Sequence, residues 1–73
     1  MISEAEAIEI ARRAIVGKVS LQEDAPIRVQ RRRSRYTITF IHINAPGVRG
    51  PDYDARVTID ARTGEVYEIL GAP

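Results

Sequence analysis

His42 is the only histidine in this chain, and it is the side chain best suited to acid–base or metal chemistry near neutral pH. Catalysis would require a nucleophile or a second acid–base group beside it, and zinc binding would require further imidazole or thiolate ligands. The chain has no cysteine, and no serine stands in a triad-like context. His42 falls in phase with Tyr36, Ile38 and Phe40 and reads as a structural residue. Asp52, Asp54 and Asp60 do not match the spacing of a calcium loop. Asp54 and Asp60 are expected to alternate outward on a strand. The sequence therefore assigns no catalytic residue, no cofactor and no metal.

The densest charge is Arg31-Arg32-Arg33-Ser34-Arg35, followed by Tyr36. Arginines so placed can grip phosphates, and a neighbouring tyrosine can stack a base. Arg31, Arg32, Arg33 and Arg35 are thus the candidate polyanion patch. A net charge of +1 and an aromatic content of 5% argue against a nucleic-acid surface. The plainer reading is a solvated turn with its flanks.

These residues must be positioned by a small frame. Seventy-three residues suffice for one domain, 1–73. A chain this short buries only about 60% of the surface it exposes when unfolded, so the core is a single layer of helix against sheet. Ser3 and Glu6 form a capping-box pair, with Ile2 placed to staple against Ala7. Ala7, Ile8, Ala11, Ala14 and Ile15 recur at helical spacing, and Gly17 supplies a stop. The helix is expected over about residues 3–16. Strands follow at Ile27 to Gln30, Tyr36 to Ile43, Tyr53 to Asp60 and Glu65 to Leu70, separated by turn residues. The fold class is α+β: one N-terminal helix packed on one face of a three- to four-stranded antiparallel sheet. The helix is expected to cover Ile38, Phe40, Val57 and Ile59.

One helix cannot cover both faces of a sheet. The second face carries Thr37, Thr39, Ile41, Ile43 and Thr58, and apolar residues there suit a protein partner or a second copy of the chain. The segment Asn44–Asp52, with Val48 and Arg49, exceeds the roughly 2–5 residues of a usual hairpin link, and Pro46 and Pro51 stiffen it. Ile41, Ile43, Val66, Leu70, Val48 and Arg49 make up the candidate partner surface. No apolar run approaches the ~20 residues of a membrane helix. The N-terminus has no signal-peptide pattern, so the chain as it stands reads as cytoplasmic, or as periplasmic or secreted if a signal has been removed.

The last hairpin has two competing registers. A four-residue loop, Ala61 to Gly64, pairs Ile59 with Val66 and sets Glu68 opposite Val57 on the buried face. A three-residue loop, Arg62 to Gly64, pairs Ile59 with Tyr67 and Val57 with Ile69, and sends Glu68 to water. Burial favours the second. It requires Gly64 at positive φ, Tyr67 and Ile69 toward the helix, and Val66 and Leu70 on the open face.

The opening Ile2-Ser3-Glu4-Ala5-Glu6-Ala7-Ile8-Glu9-Ile10-Ala11 is similar to the start of PepSY-type domains. So is Tyr36 to Phe40 followed by the stretch from Tyr53 to Val66. The resemblance covers most of the chain. It implies a helix on an antiparallel sheet and a non-catalytic, protein-binding role. Family members occur in propeptides of thermolysin-type metalloproteases and in small bacterial envelope proteins, so the resemblance implies a protease inhibitor or regulator. The alternatives are a nucleic-acid or polyanion binder using the arginine cluster, and a purely structural homodimer.

Overall fold

The computed structural model describes residues 1–72. Ser3 opens the helix as its neighbours predict. Its hydroxyl accepts the Glu6 N–H at 3.1 Å, and the Glu6 carboxylate accepts the Ser3 N–H at 3.0 Å. Two otherwise orphaned donors are satisfied at once, and α1 (Glu4–Ile15) begins. Gly17, at φ +76°, turns the chain out of the helix, and the Lys18 and Val19 N–H groups return to the Ile15 carbonyl.

Four antiparallel strands follow, in the spatial order β1 (Ile27–Arg32), β2 (Arg35–Ile41), β3 (Tyr53–Asp60) and β4 (Val66–Gly71). The first hairpin is tighter than the arginine run suggests. Arg31 and Arg32 belong to β1 and Arg35 to β2, which leaves Arg33 and Ser34 to make the turn. Arg33 takes φ +55°, a left-handed conformation that glycine or asparagine adopts more readily.

α1 lies over β2, β3 and β4. Ala7, Ala11 and Ile15 meet Tyr36, Ile38, Phe40, Ala55, Val57, Ile59 and Ala61 in one buried cluster. The expected face is the covered one, since Ile38, Val57 and Ile59 have no exposed surface and Phe40 has 4%. Small alanines on α1 let the helix sit close to the sheet, and β-branched residues on the strands fill the interface. Ile27 and Val29 on β1 are only half-buried, because the helix does not reach across them. Residues 1 and 2 are pinned to the far end of the core. The Ile2 N–H donates to the Ala61 carbonyl, and the Tyr36 hydroxyl donates to the Ile2 carbonyl.

Two bulges correct the simple alternation. The register between β2 and β3 slips after Phe40↔Ala55, so that Ile41 faces Tyr53 and Asp54 is the extra residue. Asp54 is therefore buried, at 9% exposure, instead of pointing outward. The last hairpin uses both competing registers. Near the turn the Asp60 N–H donates to Glu65, the Gly64 N–H donates to Asp60, and Ile59 pairs with Val66. After a slip of one residue at Tyr67, Val57 pairs with Ile69 and Thr58 with Glu68. The bulge reconciles the four-residue turn with the need to bury Ile69 and keep Glu68 in water. Gly64 has φ +82°, as the turn requires. Val66 packs against the core and leaves the open face, while Tyr67 moves onto that face. This reverses the expectation for both residues.

Candidate protein-interaction surface

The sheet face turned away from α1 is built from rows of cross-strand neighbours. Arg28, Thr39, Arg56 and Leu70 form one row, and Gln30, Thr37, Thr58 and Glu68 the next. At the hairpin tips Arg32 stands opposite Arg35, which stands opposite Asp60. At the other end Ile41 stands opposite Tyr53.

Arginines and tyrosines cover most of this face. The Arg56 guanidinium lies 4.5 Å from the centre of the Tyr53 ring and donates to the Thr39 hydroxyl at 3.3 Å. Thr39, which alternation points away from the helix, is consequently buried. The Arg35 guanidinium lies 4.2 Å from the Tyr67 ring centre, and the Tyr67 hydroxyl donates to Asp60 at 2.8 Å. Guanidinium over ring is a favourable electrostatic contact, and the arginine stems shield apolar surface while their heads stay wet. The Asp60 carboxylate also accepts the Arg62 and Thr63 N–H groups. The Arg62 N–H and then the Tyr67 hydroxyl hold its carboxyl below the ordinary value, and the same bond raises the Tyr67 phenol above its own.

Exposed apolar side chains also occur toward the opposite end. Ile43 is 56% exposed, Val48 58% and Leu70 39%, with Ile41 partly covered beside Tyr53. Val48 and Arg49 sit on the loop of residues 44–52, which is tied shut at its base. The His42 N–H donates to the Asp52 carbonyl, the Asn44 side chain donates to the Pro51 carbonyl, and Val48 closes a turn onto Ala45. Gly50 packs against the Asn44 side chain with no room for a Cβ.

His42 has a partner that alternation concealed. Its Nδ1 lies 2.9 Å from Asp54 Oδ1, while Asp54 Oδ2 accepts the Gln22 N–H at 2.7 Å. The Gln22 amide then makes two bonds to the backbone of Ile43, one to its N–H and one to its carbonyl. A carboxylate that orients an imidazole is a familiar part of catalytic and metal sites. No group of three or more His, Cys, Asp or Glu side chains gathers here or elsewhere among the described residues. The pair instead fastens residues 18–26 to the end of β2.

The polyanion quartet is partly divided, although Arg31 and Arg32 border a separate hollow with Gln30 and Thr37. Arg32, Arg33 and Arg35 share a concavity of about 830 Å³ on the open face with Ser34, Thr37 and Thr58. Arg31 turns to the helix side, where its guanidinium lies 5.8 Å from the Tyr36 ring centre. Tyr36 is buried and offers no free ring to a base. Sequence reasoning missed Tyr53 and Tyr67 as constituents of the open face, whereas alternation in phase with Thr58 already turned Arg56 outward. The bulges at Asp54 and Tyr67 put the tyrosines there, and β-propensity alone carries no signal for a bulge.

A helix across one face of a four-stranded antiparallel sheet, with the other face uncovered, is the frame in which the family comparison stands. The family model described as PepSY, peptidase propeptide and YPEB domain, matches residues 1–70. The chain belongs to the PepSY family. No curated protein and no solved structure matches it. The match takes in α1 and nearly all of the sheet, so both the open face and the 44–52 loop of this PepSY chain lie within it. Among the described residues no helix is long and apolar enough to cross a membrane.

Proposed function

We propose that this PepSY domain is a non-catalytic regulatory module that acts by binding a protein, and that the protein is a peptidase. The observation that carries the reading is a hydrogen-bonded loop at residues 44–52 that exposes Val48, with Ile43 exposed at its base and Leu70 exposed on the uncovered sheet face. A pre-ordered loop loses little entropy on docking, and apolar side chains on and beside it supply the burial that docking needs. Ile41 and Arg49 complete the surface; Val66 is excluded by its packing against the core. The family description supports a peptidase as the partner and, with it, an extracytoplasmic setting.

The test is inhibition. The purified chain is titrated against the secreted metallopeptidases of its own source organism with a fluorogenic peptide substrate. Saturable inhibition is expected, and the double variant V48D/L70D should raise the inhibition constant at least about tenfold while its melting temperature stays near that of the parent. Absence of inhibition, or equal inhibition by the double variant, would sink the proposal.

A further inference from the structure

We propose that the hairpin-tip half of the open face is a receptor for an acidic peptide segment, with Arg32, Arg33 and Arg35 as its cations and the Thr37 and Thr58 hydroxyls as its floor. Arg32 and Arg35 are direct cross-strand partners, an arrangement in which like charges repel. Arg33 stands between them in the turn. Among the described residues no carboxylate makes an ion pair with any of these three arginines. The ion pairs found there are Arg13–Glu9 and His42–Asp54, both elsewhere. Asp60 faces Arg35 across the sheet, but its oxygens are occupied by the Arg62 and Thr63 N–H groups and the Tyr67 hydroxyl. Glu68 stands opposite Thr58 and makes no ion pair with any of the three. Three arginines and three hydroxyl residues line one concavity, which presents many hydrogen-bond donors.

The site is also partly pre-organised. Arg35 is stacked on Tyr67, which Asp60 holds in place, so one arm of the clamp is fixed before a ligand arrives. Guanidinium groups suit carboxylates because the planar fork makes two parallel hydrogen bonds. The next cations on the face are Arg28 and Arg56, which flank Thr39. Arg28 lies four residues from Arg32 on the same strand, about 13 Å at the usual rise of a strand. An extended peptide with carboxylates four residues apart spans that distance.

Three observations favour a peptide over a nucleic acid. The chain carries a net charge of only +1, too little for general attraction to a continuous polyphosphate. The two tyrosines on the face are already stacked by Arg35 and Arg56, and Tyr36 is buried. A base would have to compete with these guanidiniums for the rings on which single-stranded binding relies. The inference deepens the function proposed above in one respect, the charge of the partner, and its test needs no peptidase.

The test uses the full chain and a fluorescein-labelled peptide carrying glutamates at alternating and four-residue spacings. The same peptide with glutamines, a hexathymidylate and inorganic phosphate serve as controls. Amide shifts of isotopically labelled protein should move at Arg32 to Thr37 and at Thr58 on adding the glutamate peptide. Anisotropy should show binding that weakens with salt and falls at least about fivefold in R32S/R35S, but stays nearly unchanged in R12S/R13S on the helix. R32S/R35S removes a like-charge pair together with the Arg35–Tyr67 stack, effects of opposite sign, so its melting temperature should stay near that of the parent. The proposal is overturned by unmoved amides at millimolar peptide, by undiminished binding in R32S/R35S, or by tighter binding of hexathymidylate or phosphate than of the peptide. Peptide binding without peptidase inhibition would remove the peptidase and leave the acidic ligand; inhibition without peptide binding would do the reverse.

Discussion

Asp60 shows how one side chain couples a turn to a face. Its carboxylate accepts two backbone N–H groups of the turn and the Tyr67 hydroxyl, and Tyr67 in turn carries Arg35. The Asp60 carboxyl is held below its ordinary value of 3.8, chiefly by the Arg62 N–H. A depressed folded pKa means a contribution that is complete above the unfolded value and lost as pH falls through the folded one. Glu6 behaves in the same way from 4.5, through its bond to the Ser3 N–H. Tyr67 has the opposite sign. Its phenol is raised above 10.0 by Asp60, so its contribution is complete below the unfolded value and lost as pH rises through the folded one. Asp60→Asn should therefore flatten stability against pH at both ends. Urea denaturation from about pH 2 to 5 and from about pH 9 to 11 measures this. An unchanged acid limb in the variant would assign acid sensitivity to other carboxylates.

At the scale of elements, the least conventional piece is the connection from α1 to β1. Residues 18–26 contain no helix or strand, yet Gln22 is bonded through its main chain to Asp54 and through its side chain to Ile43. Asp54 receives that bond because the bulge in β3 turns it inward beside His42. Each of these bonds contributes about 0.5–1.5 kcal/mol, and an orphaned buried carboxylate costs more. Gln22→Ala should accordingly raise amide exchange at Ile43 and through residues 18–26 while β2 and β3 stay protected. Removing the imidazole by His42→Ala should destabilise by about 1–3 kcal/mol, since Asp54 is left buried with one partner fewer. Chemical denaturation and hydrogen exchange report both. Uniform loss of protection across the sheet in Gln22→Ala would show that the latch belongs to the global folding unit.

For the whole molecule, the core is one cluster between a single helix and three of the four strands. Small chains have little stability to lose, about 3–5 kcal/mol at this length without disulfides. Phe40 is the largest side chain in the cluster apart from Tyr36, and replacing it with Ala should cost roughly 3–5 kcal/mol. Most of the population should then be unfolded at 25 °C by far-UV circular dichroism. A Phe40→Ala variant that melts near the parent temperature would contradict the packing described. The open face is expected to respond differently, because no second layer covers it. Under the proposed function, substitutions at Val48 and Leu70 should weaken binding and leave the melting temperature nearly unmoved.

Local chemistry was legible without the fold. The helix start follows from Ser3 and Glu6, its stop from Gly17, and the buried face from the alternation of Tyr36, Ile38 and Phe40 with Val57 and Ile59. Each depends on neighbours within a few residues, where sequence spacing is spatial spacing. The PepSY resemblance likewise rested on runs that survive as intact elements. What lay beyond reach were the two bulges. A bulge forms when competing demands along a strand are settled by inserting one unpaired residue, and the settlement depends on partner strands far away in sequence. In the last hairpin the Asp60 turn demanded one register and the burial of Ile69 the other, and the slip at Tyr67 satisfied both. That slip sent Val66 into the core and Tyr67 onto the face beside Arg35; the slip at Asp54 buried a carboxylate and gave His42 its partner. The arginine run was plain in the sequence, but strand pleating divided it, because successive residues on a strand face opposite sides. Alternation already turned Arg35 away from the core; tertiary structure alone decided the tight turn that pairs it with Arg32 on the uncovered face while Arg31 lies toward Tyr36.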